Sequence, residues 1–194
     1  AMDVEQCERM IEECRLHNLK LMVGHMLLIS TLVRRLRELV QSGGMGRIIR
    51  AESNFIYDAR LTTRSWLFDR KVAGGGPTFD VGIHCLDTLR FVLDDEVVSL
   101  KVEMEPKPDD RRTETSSQLL LRFSRGTIGS IFSSYDSPIR QSNIEILGTE
   151  ARVSAVDFTV GSRVAELKIE KRSSSTSPDV VTEEIDVPNL YVEE

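Results

Sequence analysis

Apolar residues recur three and four apart from Val4 to Cys14 and again from Leu32 to Val40, and alternate with polar ones from Arg47 to Tyr57. They return to helical spacing from Phe79 to Val92 and alternate through most of the chain beyond Val97. The periods predict helix, helix, strand, helix and then a strand-rich remainder. Asp3 with Gln6 three residues on reads as a capping box for the first helix, whose stripe is Val4, Cys7, Met10, Ile11 and Cys14 and which ends near Asn18. Leu19 to Val23 reads as a short apolar strand. Ser30 or Thr31 caps the second helix, which buries Leu32, Val33, Leu36, Leu39 and Val40, turns Arg34, Arg35 and Arg37 to solvent, and ends at Gly43 and Gly44 as left-handed caps.

From Arg47 the period is two, with Ile49, Ala51, Ser53, Phe55 and Tyr57 on one face of a long strand. A loop over 58–76 carries Arg60, Arg64, the only tryptophan, Trp66, and the run Gly74-Gly75-Gly76. Pro77 then suits a first helical position, where a missing N–H costs nothing, and Phe79, Ile83, Leu86, Leu89 and Val92 give the next helix one apolar face. Val98, Leu100, Val102 and Met104 alternate with polar residues as a half-buried antiparallel strand. Gln118 to Phe123 and Thr127 to Tyr135 flank Ser124-Arg125-Gly126 as a hairpin. Asn143 to Leu147, Ala151 to Val156, Val164 to Ile169 and Val180 to Val187 add four strands, with a serine-rich turn from Lys171 to Asp179. Asn189 caps a last helix that the chain leaves in its first turn, at Glu194. Ala1-Met2 reads as a junction, and both ends read as cut.

Composition restricts the class. At 194 residues, 40% hydrophobic and 29% charged, the chain is long enough for one large domain with its own core. A net charge of −6 argues against a nucleic-acid partner, which needs a basic face. No apolar run has membrane-span length and no signal segment opens the chain. Cys7, Cys14 and Cys85 stand at no metal-like spacing, which points to reduced thiols in a cytoplasmic protein.

The chemistry concentrates on the third helix. Asp80, His84 and Asp87 stand at i, i+4 and i+7, one face of acid, imidazole, acid. A carboxylate one turn from an imidazole can fix its tautomer and stabilise its charged form, which suits general acid/base work. An Asp in a first turn is also favoured by the macrodipole, and a His on a polar face is ordinarily solvated. Two or three ligands on one helix do not close a metal site. The glycines can cradle a phosphate or bring flexible backbone close to a ligand, and Trp66 suits either core or a sugar platform.

The run Gly74-Gly75-Gly76, then Asp80, Gly82, His84 and Asp87, followed by Leu89-Arg90-Phe91-Val92-Leu93, resembles the signature of the C-terminal domain of the Gfo/Idh/MocA oxidoreductases. Leu21-Met22-Val23-Gly24-His25, the passage from Leu36 to Ile48 and the turn Ile146-Leu147-Gly148-Thr149-Glu150 are similar to that family in order and spacing. The resemblance implies nicotinamide-dependent hydride transfer on a sugar, inositol or similar polyol. It makes His84 the group on the reacting oxygen and Asp80 its support, with Trp66, Arg64 and Arg140 as substrate-binding candidates and Gly75 and Gly76 near the nicotinamide. The family's Glu-Lys-Pro lysine and Gly-x-Gly-x-x-Gly do not occur here, and its Arg-Phe-x-Pro-like stretch is replaced by Met26-Leu27-Leu28-Ile29-Ser30. The chain therefore reads as an inactive fragment of an NAD- or NADP-dependent enzyme, binding no dinucleotide itself and no metal. A non-catalytic dehydrogenase-like dimerisation or regulatory module is the alternative, and a metal-dependent hydrolase using Asp80, His84 and Asp87 a third reading.

The expected fold is α+β, an open, mostly antiparallel sheet with helices on one face. Residues 1–25 read as the last helix–strand unit of a Rossmann domain, and 26–194 as the substrate-binding and oligomerisation domain. The resemblance adds homo-oligomerisation through the other sheet face.

Overall fold

A computed structural model describes residues 3–174 and 177–193. The Ala1-Met2 junction, Glu194 and part of the serine-rich turn lie outside the described residues. Helix α1 (Val4–Leu16) leads into an irregular stretch, a 3-10 turn at Met26–Ile29, helix α2 (Thr31–Gln41) and strand β1 (Ile48–Asp58). Short helix α3 (Arg70–Ala73) precedes a π-helical turn at Thr78–Gly82 that runs into α4 (Ile83–Leu93). Strands β2 (Val97–Glu105), β3 (Ser116–Phe123), β4 (Ile128–Ser134), β5 (Asp136–Gly148), β6 (Ala151–Ala155), β7 (Arg163–Lys171) and β8 (Asp179–Val187) come next, then α5 (Leu190–Glu193).

The eight strands form one open sheet in the order β2-β3-β4-β1-β5-β6-β7-β8. Every pairing is antiparallel except β1 with β4, where Arg50 lies opposite Ile128 and Ile56 opposite Ser134. Helices α2 and α4 cover one face. Their Leu32, Val33, Leu36, Cys85, Leu89 and Val92 pack on Ala51, Leu121, Phe123, Ile131, Ile144, Ile146 and Val153, all buried in one cluster. Each such leucine or isoleucine contributes about 2 kcal/mol by leaving water. The α+β architecture expected from the alternating periods is the one observed.

Two passages singled out by resemblance meet at the end of α2. Gly43 takes φ +80° to end the helix, and Gly46, not Gly44, supplies the second left-handed position at φ +69°. The turn at Gly148 closes on it, with Thr149 N donating to Arg47 O (3.0 Å) and Glu150 N to Met45 O (3.1 Å). A Cβ on Gly148 would stand 2.1 Å from Met45 O.

Several local expectations are corrected. Leu19 to Val23 forms no strand, because no strand of the sheet pairs with it, and Leu19, Leu21, Met22 and Val23 are exposed. Helix α1 buries no residue and is held by its own bonds: Asp3 Oδ1 accepts from Gln6 N at 2.8 Å, and Gln6 Nε2 donates to Asp3 Oδ2 at 2.9 Å. Ser30 precedes α2 without a capping bond, and the Thr31 hydroxyl donates to Asp186 O at 2.6 Å, tying the helix to β8. Arg35 and Arg37 are not simply solvated: they pair with Glu183 (2.8 Å) and Asp94 (2.7 Å). Strand β2 stands at the sheet edge beyond the helices, so Val98, Leu100 and Val102 stay exposed rather than half-buried. In α4 the wide π turn rotates the apolar stripe, burying Val81, Cys85, Thr88, Leu89 and Val92 and leaving Phe79 and Ile83 exposed.

Cys85 lies fully within the core, where burial pushes its thiol from 9.0 up to about 12. The thiolate is the reactive form, so Cys7, exposed on α1, alkylates at pH 8 while Cys85 resists until the domain unfolds. Mass-spectrometric counting with and without urea checks this. The folded state keeps this proton where the unfolded thiol has lost it, so Cys85 makes stability fall as pH rises from about 9 toward 12.

Candidate functional site

The C-terminal end of β1, the start of β5 and the first turn of α4 enclose a cleft of about 340 Å³, closed on a further side by Met26 and Leu27. Phe55, Tyr57, Arg64, Asp80, His84, Arg140 and Thr159 line it, with Tyr191 of α5 at its margin. The helix reaches this place because Gly82 is small: a Cβ there would stand 2.9 Å from Ser133 Oγ on β4. Close approach of helix to sheet presents Asp80 and His84 to the cavity side.

Asp80 is held from two directions. Tyr57 donates its hydroxyl to Asp80 Oδ2 at 2.7 Å, and Arg64 Nη1 lies 3.5 Å from Oδ1. Arg64 Nη2 also donates to Tyr57 Oη at 3.1 Å, so acid, phenol and guanidinium form one closed set. Burial, and then the hydrogen bond to Asp80, push the Tyr57 phenol above its ordinary range. Tyr135, fully buried in the bend between β4 and β5, stands edge-on to Tyr57 at 5.4 Å and to Phe68 at 5.8 Å, and burial with the Asp80 charge nearby keeps it protonated too. The acid is thus backed by two neutral phenols. Tyr57→Phe removes a donor from a carboxylate and lowers unfolding stability by about 1.5 kcal/mol. Urea denaturation measures it, and an unchanged midpoint would show the bond to be worthless.

His84 is half-buried, its ring 5.6 Å from that of His25 and tilted by 53°. His25 Nδ1 in turn lies 2.8 Å from Asp87 Oδ2, and Asp87 Oδ1 is 3.4 Å from Arg90 Nη1. Along the expected acid–imidazole–acid stripe, Asp80 is bonded to Tyr57 and Arg64, and Asp87 to the imidazole of His25 in the stretch before α2. Among the described residues no group of three His, Cys, Asp or Glu is placed to hold a metal ion.

Of the residues singled out from the sequence, Asp80, His84, Arg64 and Arg140 share the cleft. Trp66 does not: it lies half-exposed in the turn Ser65–Phe68, away from the lining. Gly75 and Gly76 are needed for packing inside the chain, since a Cβ on Gly75 would meet the Phe79 ring at 2.4 Å and one on Gly76 the Glu114 carbonyl oxygen at 2.0 Å. His25, Tyr57 and Tyr135 were missed. Tyr57 was visible as the last inward residue of β1, and His25 as one of three histidines.

The chain is thus an α+β domain, an open sheet carrying a π turn and helix that present an acid and an imidazole to one cleft. Residues 33–154 match the family model described as GFO/IDH/MocA C-terminal domain, and the chain belongs to that family. It is 28% identical over 160 residues to the NADP(+)-dependent D-xylose 1-dehydrogenase of Haloarcula marismortui, covering 77% of this chain and 43% of that protein. It is 32% identical over 115 residues to inositol 2-dehydrogenase 3 of Saccharopolyspora erythraea, covering 59% and 31%. The aldose–aldose oxidoreductase of Caulobacter crescentus, solved with glycerol, superposes with a TM-score of 0.82 at 22% identity, covering 97% of this chain and 55% of that one. The chain thus spans less than half the length of the curated relatives it matches.

Proposed function

We propose that the whole protein carrying this chain is an NAD- or NADP-dependent oxidoreductase interconverting a hydroxyl and a carbonyl on a sugar, inositol or similar polyol, and that this chain is its substrate side. The observation that carries the reading is the cleft in which His84 and the braced Asp80 face the same space. His84 takes the hydroxyl proton in the oxidative direction and returns it in the reductive one. Asp80, kept in place by Tyr57 and Arg64, offers a negative charge beside the imidazolium that results. The names of the relatives, a xylose dehydrogenase and an inositol dehydrogenase among them, support the substrate class.

The nicotinamide is held by a part of the protein outside this chain, so the chain alone is inactive. The sheet face away from α2 and α4 mixes Leu120, Ile128 and Phe132 with Lys101, Ser130 and Glu145, and joins two copies. Calorimetric titration of NADH and NADPH tests the reading: the whole protein binds one of them and this chain binds neither. Absence of binding by the whole protein overturns it in favour of a non-catalytic module.

A further inference from the structure

A neutral polyol asks its site for donors and acceptors but not for uncompensated charge. The cleft holds more. Among the described residues its lining carries two guanidinium groups, Arg64 and Arg140, and one carboxylate, Asp80. Asp80 lies against Arg64, which cancels that pair. Arg140 is left over, in a chain whose net charge is −6.

The setting of Arg140 differs from that of the arginines elsewhere along α4. In the depression around Asp87 and Asp94, Arg37 is tied to Asp94 at 2.7 Å, Arg90 to Glu96 at 2.8 Å and Arg125 to Asp95 at 3.5 Å. Arg140 instead stands with its guanidinium carbon 5.4 Å from the Phe55 ring centroid, and Nη2 donates to Thr159 Oγ1 at 3.4 Å. Among the described residues no carboxylate lies within ion-pair distance of it. The ring and the hydroxyl aim the group while using one of its five N–H donors, leaving the planar fork that matches a carboxylate.

Resting on the hydride-transfer reading above, we propose that the substrate carries a carboxylate, as a sugar acid or polyol acid does, and that Arg140 receives it. The reacting hydroxyl then lies toward His84 and the acid end toward β5. A cleft of about 340 Å³ suits a monosaccharide-sized acid held between the two.

The test is a paired panel on the whole protein with NAD⁺ and NADP⁺: D-glucuronate against D-glucose, D-galacturonate against D-galactose, D-gluconate against D-glucitol. At least one acid is oxidised with a higher kcat/KM than its neutral partner, and Arg140→Gln lowers that acid-to-neutral ratio about 10- to 100-fold. Arg140→Lys, which keeps the charge but not the fork, recovers part of the ratio. Arg140 is exposed on β5, so the variants fold, as thermal melts will verify. Neutral partners preferred throughout, no acid oxidised, or a ratio indifferent to Arg140→Gln overturns the carboxylate assignment. The dinucleotide titration keeps that failure separate from failure of the oxidoreductase reading, which survives if NADH or NADPH binds.

Discussion

His84→Ala in the whole protein lowers kcat by about 10²- to 10⁴-fold, the range that loss of a positioned general acid/base produces. The imidazole is half-buried on the cleft side of α4, while the core side of the same helix rests on Cys85, Leu89 and Val92. Removing it therefore takes away a proton-transfer group without emptying the core, and the melting temperature changes little. The loss falls on kcat more than on KM, because the interaction is made with the reacting oxygen as charge develops there. Near-normal turnover would remove His84 from the reaction. An equal fall in kcat and stability would mean that the ring is a packing residue.

The second large effect is structural. Gly76→Ala destabilises the domain by about 3 kcal/mol, the upper part of the cost of overpacking. The new methyl would stand 2.0 Å from the Glu114 carbonyl oxygen and 2.9 Å from its carboxyl carbon, and a backbone oxygen cannot rotate aside as a side-chain tip can. Glu114 is itself buried and accepts from Thr78 N at 3.2 Å, so displacing it disturbs the turn that carries Asp80. Gly43→Ala, in contrast, meets no atom within 4 Å and suffers only from its left-handed backbone. Urea denaturation of the two variants separates crowding from strain. A Gly76→Ala protein as stable as the parent would return that glycine to the ligand-contacting role its motif suggests.

What the sequence made legible was what its own residues decide locally. The stripe of α2 and the alternation of β1 are amphipathic patterns, and both elements form where those patterns predict, with Leu32, Val33, Leu36 and Ala51 buried. Asp80 and His84 stand out because their spacing and glycine context are specific, and both line one cleft. Features that depend on a partner were not legible. Leu19 to Val23 looks like a strand but has nothing to pair with, and Leu100 alternates like a core residue but lies past the helices. The π turn broke the stripe at Phe79 and Ile83, since an extra residue in one turn leaves no mark in composition. Trp66 stands outside the lining of this cleft, since loop position says nothing about direction. His25 and Tyr135 join the site only through tertiary contacts, across 62 residues to Asp87 and through the rings of Tyr57 and Phe68.

Strand β1 stands in the middle of the sheet, yet its two neighbours come much later in the chain: Arg50 pairs with Ile128 and Ile48 with Gly148. During synthesis it waits while some eighty to a hundred further residues are made, and closing such long loops is what slows folding. Phe55 and Tyr57 reach the cleft from this strand, Asp80 and His84 from the π turn and helix that follow it, and Arg140 and Thr159 from residues made later still. The cleft therefore has its walls only once β5 has paired with β1 and the chain has passed Thr159. Any molecule that fills the cleft selects the finished topology over every half-zipped one, and acts on this domain as a folding ligand.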